Sequence, residues 1–440
     1  MDTNEKLFYS LYIFQNNVKF KLIKYQKQYD LNINNKIKPY HFDDLNIQQD
    51  NLEKIYKEKN KRLLKKKYTE LPLIIKKVTE GFTRGVSQYI NYNYDVKVSN
   101  AYIKLWEIYN SIPYLVKNKK ELNVFHLAEA PGQWINCTQH YIDTKKNNVR
   151  KYNWLAQSLN HNNKENIKKF GKGIFSDTYG LIKKNPKKWL YGKDDTGNII
   201  KIENIKWYRE YVKDIKLDLI TGDAGMTGEG IKLVDLQQLE IAQLLMVLSL
   251  SKKGTNCVIK HFLHYITDIK QSYYGSGYFF NLVYLYYIHF REVHLIKPHT
   301  SSPNSGEFYL VGIDFQGIDN KKLEKLYDML ENYKENKCFI KKEDLPLEFT
   351  IQILEFINTI FKNKIQQFQI QEFLINCLED NKKKSSSKKS SSKKSSSKKS
   401  SSKKSSSKKN PLCNKYMNMK FIREIQSKRY REWIREYKFM

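Results

Sequence analysis

Cysteine is scarce in this chain of 440 residues: there are five, at Cys137, Cys257, Cys338, Cys377 and Cys413, with no CxxC pair. An odd, scattered set excludes a disulfide-built framework and a CxxC zinc site, and points to free thiols in a reducing compartment. Long apolar runs are also missing. No stretch of 18 or more apolar residues occurs, so no membrane-spanning helix and no membrane partner are expected. The first residues, MDTNEKLFYS, lack the basic-then-apolar pattern of a secretory leader, and an intracellular protein is expected. Acidic residues are few beside basic ones, 46 against 78, for a formal net charge of +32. Residues 382–409 hold 13 of the lysines, so 32 − 13 leaves +19 on the rest. That balance favours a polyanionic partner, most simply nucleic acid, over a small neutral substrate. The competing explanation is a Lys/Asn/Ile/Tyr-biased composition.

The length leaves room for one large domain with extensions, or for two domains. Residues 1–95 carry lysine-dense, helix-like patterns such as LEKIYKEKNKRLLKKKYTELPLIIKKV. From about 96 to 315 short apolar runs alternate with helical stretches, which predicts an α/β domain. The expected strands are 124–128, 152–156, 217–221, 256–260, 291–296 and 307–313, the last two close enough to form a terminal hairpin. Residues 235–250, DLQQLEIAQLLMVLSL, have apolar residues at helical spacing. Residues 320–380 also read as helical. The 382–409 tract is serine and lysine alone, so it is expected to be a disordered linker. After it, Ile422, Ile425, Trp433, Ile434 and Tyr437 fall along one helical face, flanked by Arg423, Lys428, Arg431 and Arg435. Such a helix could touch RNA or a partner, or it could pack back on the body as a cap.

The stretch VFHLAEAPGQW, residues 124–134, breaks an apolar run with Pro131-Gly132. A bare strand-to-helix turn leaves room for a ligand beside free backbone N–H groups, although an ordinary connection would read the same. Three further stretches share one design: LDLITGDAGMTGEG, NCVIKHFLHY and SSPNSGEFYLVG. Asp223 and Lys260 each sit where an apolar strand ends, and Glu307 begins the last strand. Ligands of open α/β sheets bind at the carboxyl ends of the parallel strands, and an antiparallel last strand enters from that edge. Asp223, Lys260 and Glu307 could therefore converge over the EAPGQW turn, with Lys104 reaching in from the helix in VSNAYIKLWEIY. Singly, each is a solvated rim residue or a turn former. His261 and His264 have no matching metal-ligand cluster and read as structural, so no metal is expected.

Taken together, these residues resemble the FtsJ-like ribose 2′-O-methyltransferases, whose hallmark is a Lys-Asp-Lys-Glu tetrad behind an APGG-type turn. WLYGKDDTGNI and IKPHTSSPNSGEFYLV further resemble segments of the cap-specific mRNA enzymes of eukaryotes and large DNA viruses. The resemblance implies a Rossmann-like methyltransferase fold of mixed central sheet with a terminal antiparallel hairpin. It gives residues 96–318 to that domain. Around it stand a basic helical extension (1–95), a helical C-terminal extension (319–381), the Ser/Lys linker (382–409) and a basic amphipathic helix (410–440).

By resemblance, Lys104, Asp223, Lys260 and Glu307 are catalytic, with Lys260 as general base on the 2′-hydroxyl. A lysine needs help to act as a base near neutral pH, and Lys104 would give it by disfavouring a second positive charge. The implied cofactor is S-adenosylmethionine, held by Ser99, Glu129, Ala130, Pro131, Gly132, Gln133, Trp134, Asp177, Asn198, Ile199 and Asp223. Gln133 replaces the family's second glycine, and Asn198 stands where an aspartate usually meets the adenine. Asp177 reads equally as a surface-turn residue. The implied function is mRNA cap ribose 2′-O-methylation, with capped mRNA as partner and capping-machinery proteins as further candidates. Two other readings stay open, a ribosomal or transfer RNA 2′-O-methyltransferase and a catalytically weak RNA-binding subunit. The expected location is host cytoplasm or virion for a viral protein, and otherwise the nucleus.

Overall fold

Residues that alternate between two apolar clusters build the centre of the protein. In β2 (Glu121–Leu127), Leu122 and Val124 point to one cluster, while Phe125 and Leu127 point to the other. The same alternation runs through β5 (Leu219–Gly222) and β6 (Asn256–Phe262). Successive side chains of a strand face opposite ways, so strands covered on both faces must be apolar throughout. The computed structural model describes residues 18–24, 31–34, 37–40, 42, 81–94, 96–116, 119–145, 148–171, 177–225, 232–263, 276–301, 305–360, 362–363, 376 and 419–439.

The remaining strands are β1 (Val18–Leu22), β3 (Lys151–Gln157), β4 (Trp189–Leu190), β7 (Phe290–Lys297) and β8 (Glu307–Phe315). They form one mixed sheet in the order β1-β7-β8-β6-β5-β2-β3-β4. Strands β4, β3, β2, β5 and β6 run parallel, and β8 is inserted antiparallel between β6 and β7. The chain leaves β2 toward β3 on one side and resumes at β5 on the other. The crevice at the carboxyl ends of β2 and β5 is therefore a topological switch point.

On one face lie α1 (Gly81–Asn93), α2 (Asn100–Ser111) and α3 (Gln133–Thr144). On the other lie α4 (Ile202–Tyr211), α5 (Leu233–Leu250), α6 (Gly277–His289), α7 (Asn320–Glu331) and helical residues 347–360. By length and composition α5 could cross a membrane, but 72% of it is buried inside this protein, as suits a core helix. The last helix, α8 (Met419–Glu436), packs with the α1–α2–α3 face through Trp433, Ile434, Tyr437 and the following Phe439.

Each of the six expected strands is present, with ends shifted by a few residues. Two strands were not anticipated. Within the segment read as helical, Val18–Leu22 is an edge strand that pairs antiparallel with β7. Its exposed Lys19 and Lys21 alternate with inward Val18 and Leu22, a pattern of period two that short length hid, and lysines of this kind guard a sheet edge. The two-residue β4 is too short to leave a periodic signal. The 382–409 tract lies outside the described residues.

Candidate active site

Register places the first two site residues. Gly222 pairs with Ile259 across β5 and β6, so the next residue of each strand, Asp223 and Lys260, come side by side where β5 ends. Lys260 Nζ lies 3.0 Å from Asp223 Oδ1 and donates to the Asp223 carbonyl at 2.7 Å. Glu307 opens β8 opposite Phe262. Lys104, on α2, closes the set with its Nζ 2.6 Å from Glu307 Oε1.

The four groups form one charge cluster, with Lys260 and Glu307 buried and Lys104 and Asp223 partly so. Burial alone would strip the proton from Lys104, but Glu307 and then Asp223 outweigh it and hold the ammonium above its ordinary range. Burial likewise opposes the Glu307 carboxylate, yet Lys104 and Lys260 bring it down to about 2. Two lysines and two carboxylates thus balance, with Lys104–Glu307 a fixed ion pair.

Several supporting residues escaped the sequence reading. The Tyr309 hydroxyl donates to Asp223 Oδ1 at 3.0 Å, and Ser301 Oγ donates to Glu307 Oε1 at 2.8 Å. Lys297 Nζ, fully buried, donates to the carbonyls of Ser305 and Glu307, each at 2.8 Å. Gln243 of α5 donates to the Lys260 carbonyl at 3.2 Å. Tyr309 was legible in principle: it lies two residues after Glu307, on the same face of β8.

The EAPGQW turn differs from expectation. Most of its N–H groups are taken up within the protein. Ala128 donates to Gln157 Oε1, Glu129 to the Gln157 carbonyl, Ala130 to Ser158 Oγ and Gly132 to the Glu129 carbonyl. Glu129 Oε1 takes the N–H groups of Trp134 and Ile135, capping α3 from within. The turn is therefore no nest of free donors. Burial pushes the Glu129 carboxyl up to about 8, against the two N–H groups it accepts. Gly132 has φ +110°, and a Cβ there would run into Leu181 Cδ1. Its glycine is required by the fold, whatever a ligand adds.

The other expected cofactor residues are placed as follows. Trp134 is buried, donates from Nε1 to the Ala101 carbonyl at 2.9 Å and packs on Tyr309. Ser99 caps α2 by accepting the Tyr102 N–H at 3.2 Å. Asp177 accepts the N–H groups of Ile182 and Lys183 and so caps the short helix Leu181–Lys184, the turn role weighed for it. Asn198 accepts the Ile200 N–H at 3.0 Å, and Ile199 is buried beside it. That turn is organised by a residue the sequence reading passed over. Asp194 accepts from Thr196, Asn204 and Lys201, and these partners hold its carboxyl far below the usual range despite burial. His261 is buried against the Tyr286 hydroxyl at 3.1 Å, and His264 lies outside the described residues.

Comparison with known proteins gives consistent findings. The family model described as FtsJ-like methyltransferase matches residues 97–315. An uncharacterized protein of Acanthamoeba polyphaga mimivirus is 31% identical over 245 residues, which cover 54% of this chain and 28% of that protein. The cap-specific mRNA (nucleoside-2'-O-)-methyltransferase 2 of Danio rerio is 29% identical over 245 residues, covering 53% of this chain and 30% of its own. "Probable methyltransferase EP424R" of African swine fever virus is 25% identical over 244 residues, covering 52% of each chain. The chain thus spans less than a third of the first two relatives and about half of the third.

Proposed function

Residues 97–315 are an FtsJ-like methyltransferase domain, and on that premise we propose that the protein methylates the ribose 2′-hydroxyl of capped mRNA, with S-adenosylmethionine as donor. The observation that carries this reading is the Lys104–Asp223–Lys260–Glu307 cluster, which stands beside the switch point of the sheet with Asp223 at its edge. The cap as target is supported by the Danio rerio relative, named for that reaction, and a polyanionic substrate suits the net charge of +32.

Lys260 is the base. In its neutral form it takes the proton of the 2′-hydroxyl, and the ammonium so formed meets Asp223 Oδ1 and the Asp223 carbonyl, both already in place. Acceptors that need not reorganise stabilise charge as it develops. Tyr309 holds the same carboxylate oxygen, while Lys104 keeps its own proton on Glu307. Positioning of the hydroxyl supplies much of the remaining acceleration.

S-adenosylmethionine, when bound, supplies the electrophilic methyl group. The residues that would hold it are Ala130, Pro131, Gly132 and Gln133 at the β2 edge, Asp223 at the β5 edge, and Asn198 and Ile199 across the crevice. They fit a polar ligand of this kind: Gln133 Oε1 is buried without a hydrogen-bond partner among the described residues, and buried acceptors of that sort call for a donor. The test is methyl transfer from labelled cofactor to capped and uncapped RNA of one sequence. Transfer to the capped RNA alone is expected. Equal transfer to both would overturn the cap assignment, and transfer to neither would overturn the activity.

A further inference from the structure

The last helix reaches the active site by a route that apolar docking does not require. Trp433 of α8 is buried, and its Nε1–H donates to Glu107 Oε1 at 2.7 Å across 326 residues of sequence. The same carboxylate accepts the backbone N–H of His299 at 2.6 Å and of Thr300 at 2.9 Å. One buried group therefore ties α2, the β7–β8 loop and α8 together. Both of its other tethers carry the site. Lys104 precedes Glu107 by about one turn of α2. Ser301, next after Thr300, donates to the Glu307 oxygen that also holds Lys104.

Further contacts fix the helix in this place. Arg429 Nη2 lies 3.2 Å from His299 Nε2 on the same loop. Trp106, beside Glu107, donates to the Tyr437 carbonyl at 2.9 Å, and the Phe439 ring packs against Trp106 with centroids 4.7 Å apart. Burying Trp433, Ile434, Tyr437 and Phe439 would dock the helix without any polar tie. The tie to Glu107 is directed at the loop that shapes the Lys104–Glu307 pair.

We propose that α8 is a working part of the active site, with Trp433 a positioning residue that acts through Glu107 to hold residues 299–301 and thereby Lys104 and Glu307. The inference rests on the reading of those two residues as site residues. Burial pushes the Glu107 carboxyl up to about 7 against the hydrogen bonds it accepts, and removing the indole N–H leaves that buried group one donor short, so that the loop has to relax to satisfy it.

The test uses the full chain with Trp433→Phe, which keeps an aromatic ring and deletes the donor, and with Glu107→Met, which keeps the length and deletes the acceptor, as a second route to the same tie. In both variants kcat is expected to fall about tenfold, the scale of one charge-assisted hydrogen bond, with KM for S-adenosylmethionine unchanged. The double variant should be no worse than the weaker single, because one linkage is broken twice. Hydrogen exchange gives a readout independent of activity: amides of residues 297–309 should exchange faster in Trp433→Phe, while those of 124–135 do not change. Unaltered exchange, or faster exchange with unaltered kcat, overturns the inference and leaves α8 a structural cap. If the wild-type chain methylates no RNA, the proposed function fails, and the exchange experiment alone decides the linkage.

Discussion

Lys104 and Glu307 are each almost wholly buried, so neither charge can be removed without stranding the other. The pair makes stability depend on pH in a stated direction. Glu307 titrates near 2 in the folded chain, against an ordinary value of 4.5. A depressed carboxyl stabilises above its unfolded value and loses that contribution as pH falls through the folded one. Glu307→Gln should therefore cost about 3 kcal/mol at pH 7, with the gap to wild type closing between about pH 4.5 and 2. Urea unfolding of both chains across that range checks it, and a gap that persists at low pH would show that packing, not charge, dominates. Lys260→Ala has a different signature. Asp223 keeps Tyr309 as a partner, so the fold should survive. Methyl transfer should fall by about 10²-fold or more as the base is lost, while cofactor affinity by calorimetry stays level. Turnover at the wild-type rate would remove Lys260 from the mechanism.

The start of α3 shows how an element can carry a site while being shaped by its own needs. Gly132 has to adopt φ +110° and lies against Leu181, and Glu129 occupies the helix N-terminus that an anion would otherwise take. Gly132→Ala should thus lower stability by about 1–3 kcal/mol even with no cofactor present. Adding Leu181→Ala should recover the steric part and leave the backbone part. Thermal unfolding of the single and double variants without ligand measures both, and a Gly132→Ala chain as stable as wild type would return the glycine to ligand binding alone. Elements of this kind were legible in sequence as far as local pattern determines them. The apolar run before Asp223 marked the end of β5, whereas Lys260, read as a strand end, lies inside β6, which runs on to Phe262 past its last pairing with β5 at Ile259 and pairs there with β8 alone. Strand β1 was not legible, and for α8 the apolar face of Trp433, Ile434 and Tyr437 was legible but not the place where it docks, since the partners, β7 and α2, are hundreds of residues away. Glu107 escaped notice for the same reason: on α2 it reads as one more polar residue, and only the fold brings Trp433 and His299 to it.

At the scale of the whole molecule, the charge is divided between a body that carries +19 and a 28-residue tract that carries +13, and the two halves do different work. On the proposed function the body's excess is free to meet RNA phosphates, since the four site residues, two lysines and two carboxylates, add no net charge to it. The tract holds 13 lysines and 15 serines and no other residue type, a composition that can meet phosphates without reading sequence. It also joins the body to α8, which docks against Trp106 and Glu107 of α2, so deleting it would alter reach and charge at once. The cleaner change replaces its lysines with serine and glycine at constant length. With α8 still able to dock, kcat on a short capped RNA at saturation should stay at the wild-type value. Affinity for long RNA should fall, and log K against log salt should become shallower, because fewer counterions are released on binding. Phosphorylation of the serines would act in the same direction by cancelling positive charge. Binding titrations at several salt concentrations measure the slope. A slope equal to wild type would make the tract a spacer whose one task is to deliver α8, and would leave the body's own lysines as the whole of the phosphate-binding surface.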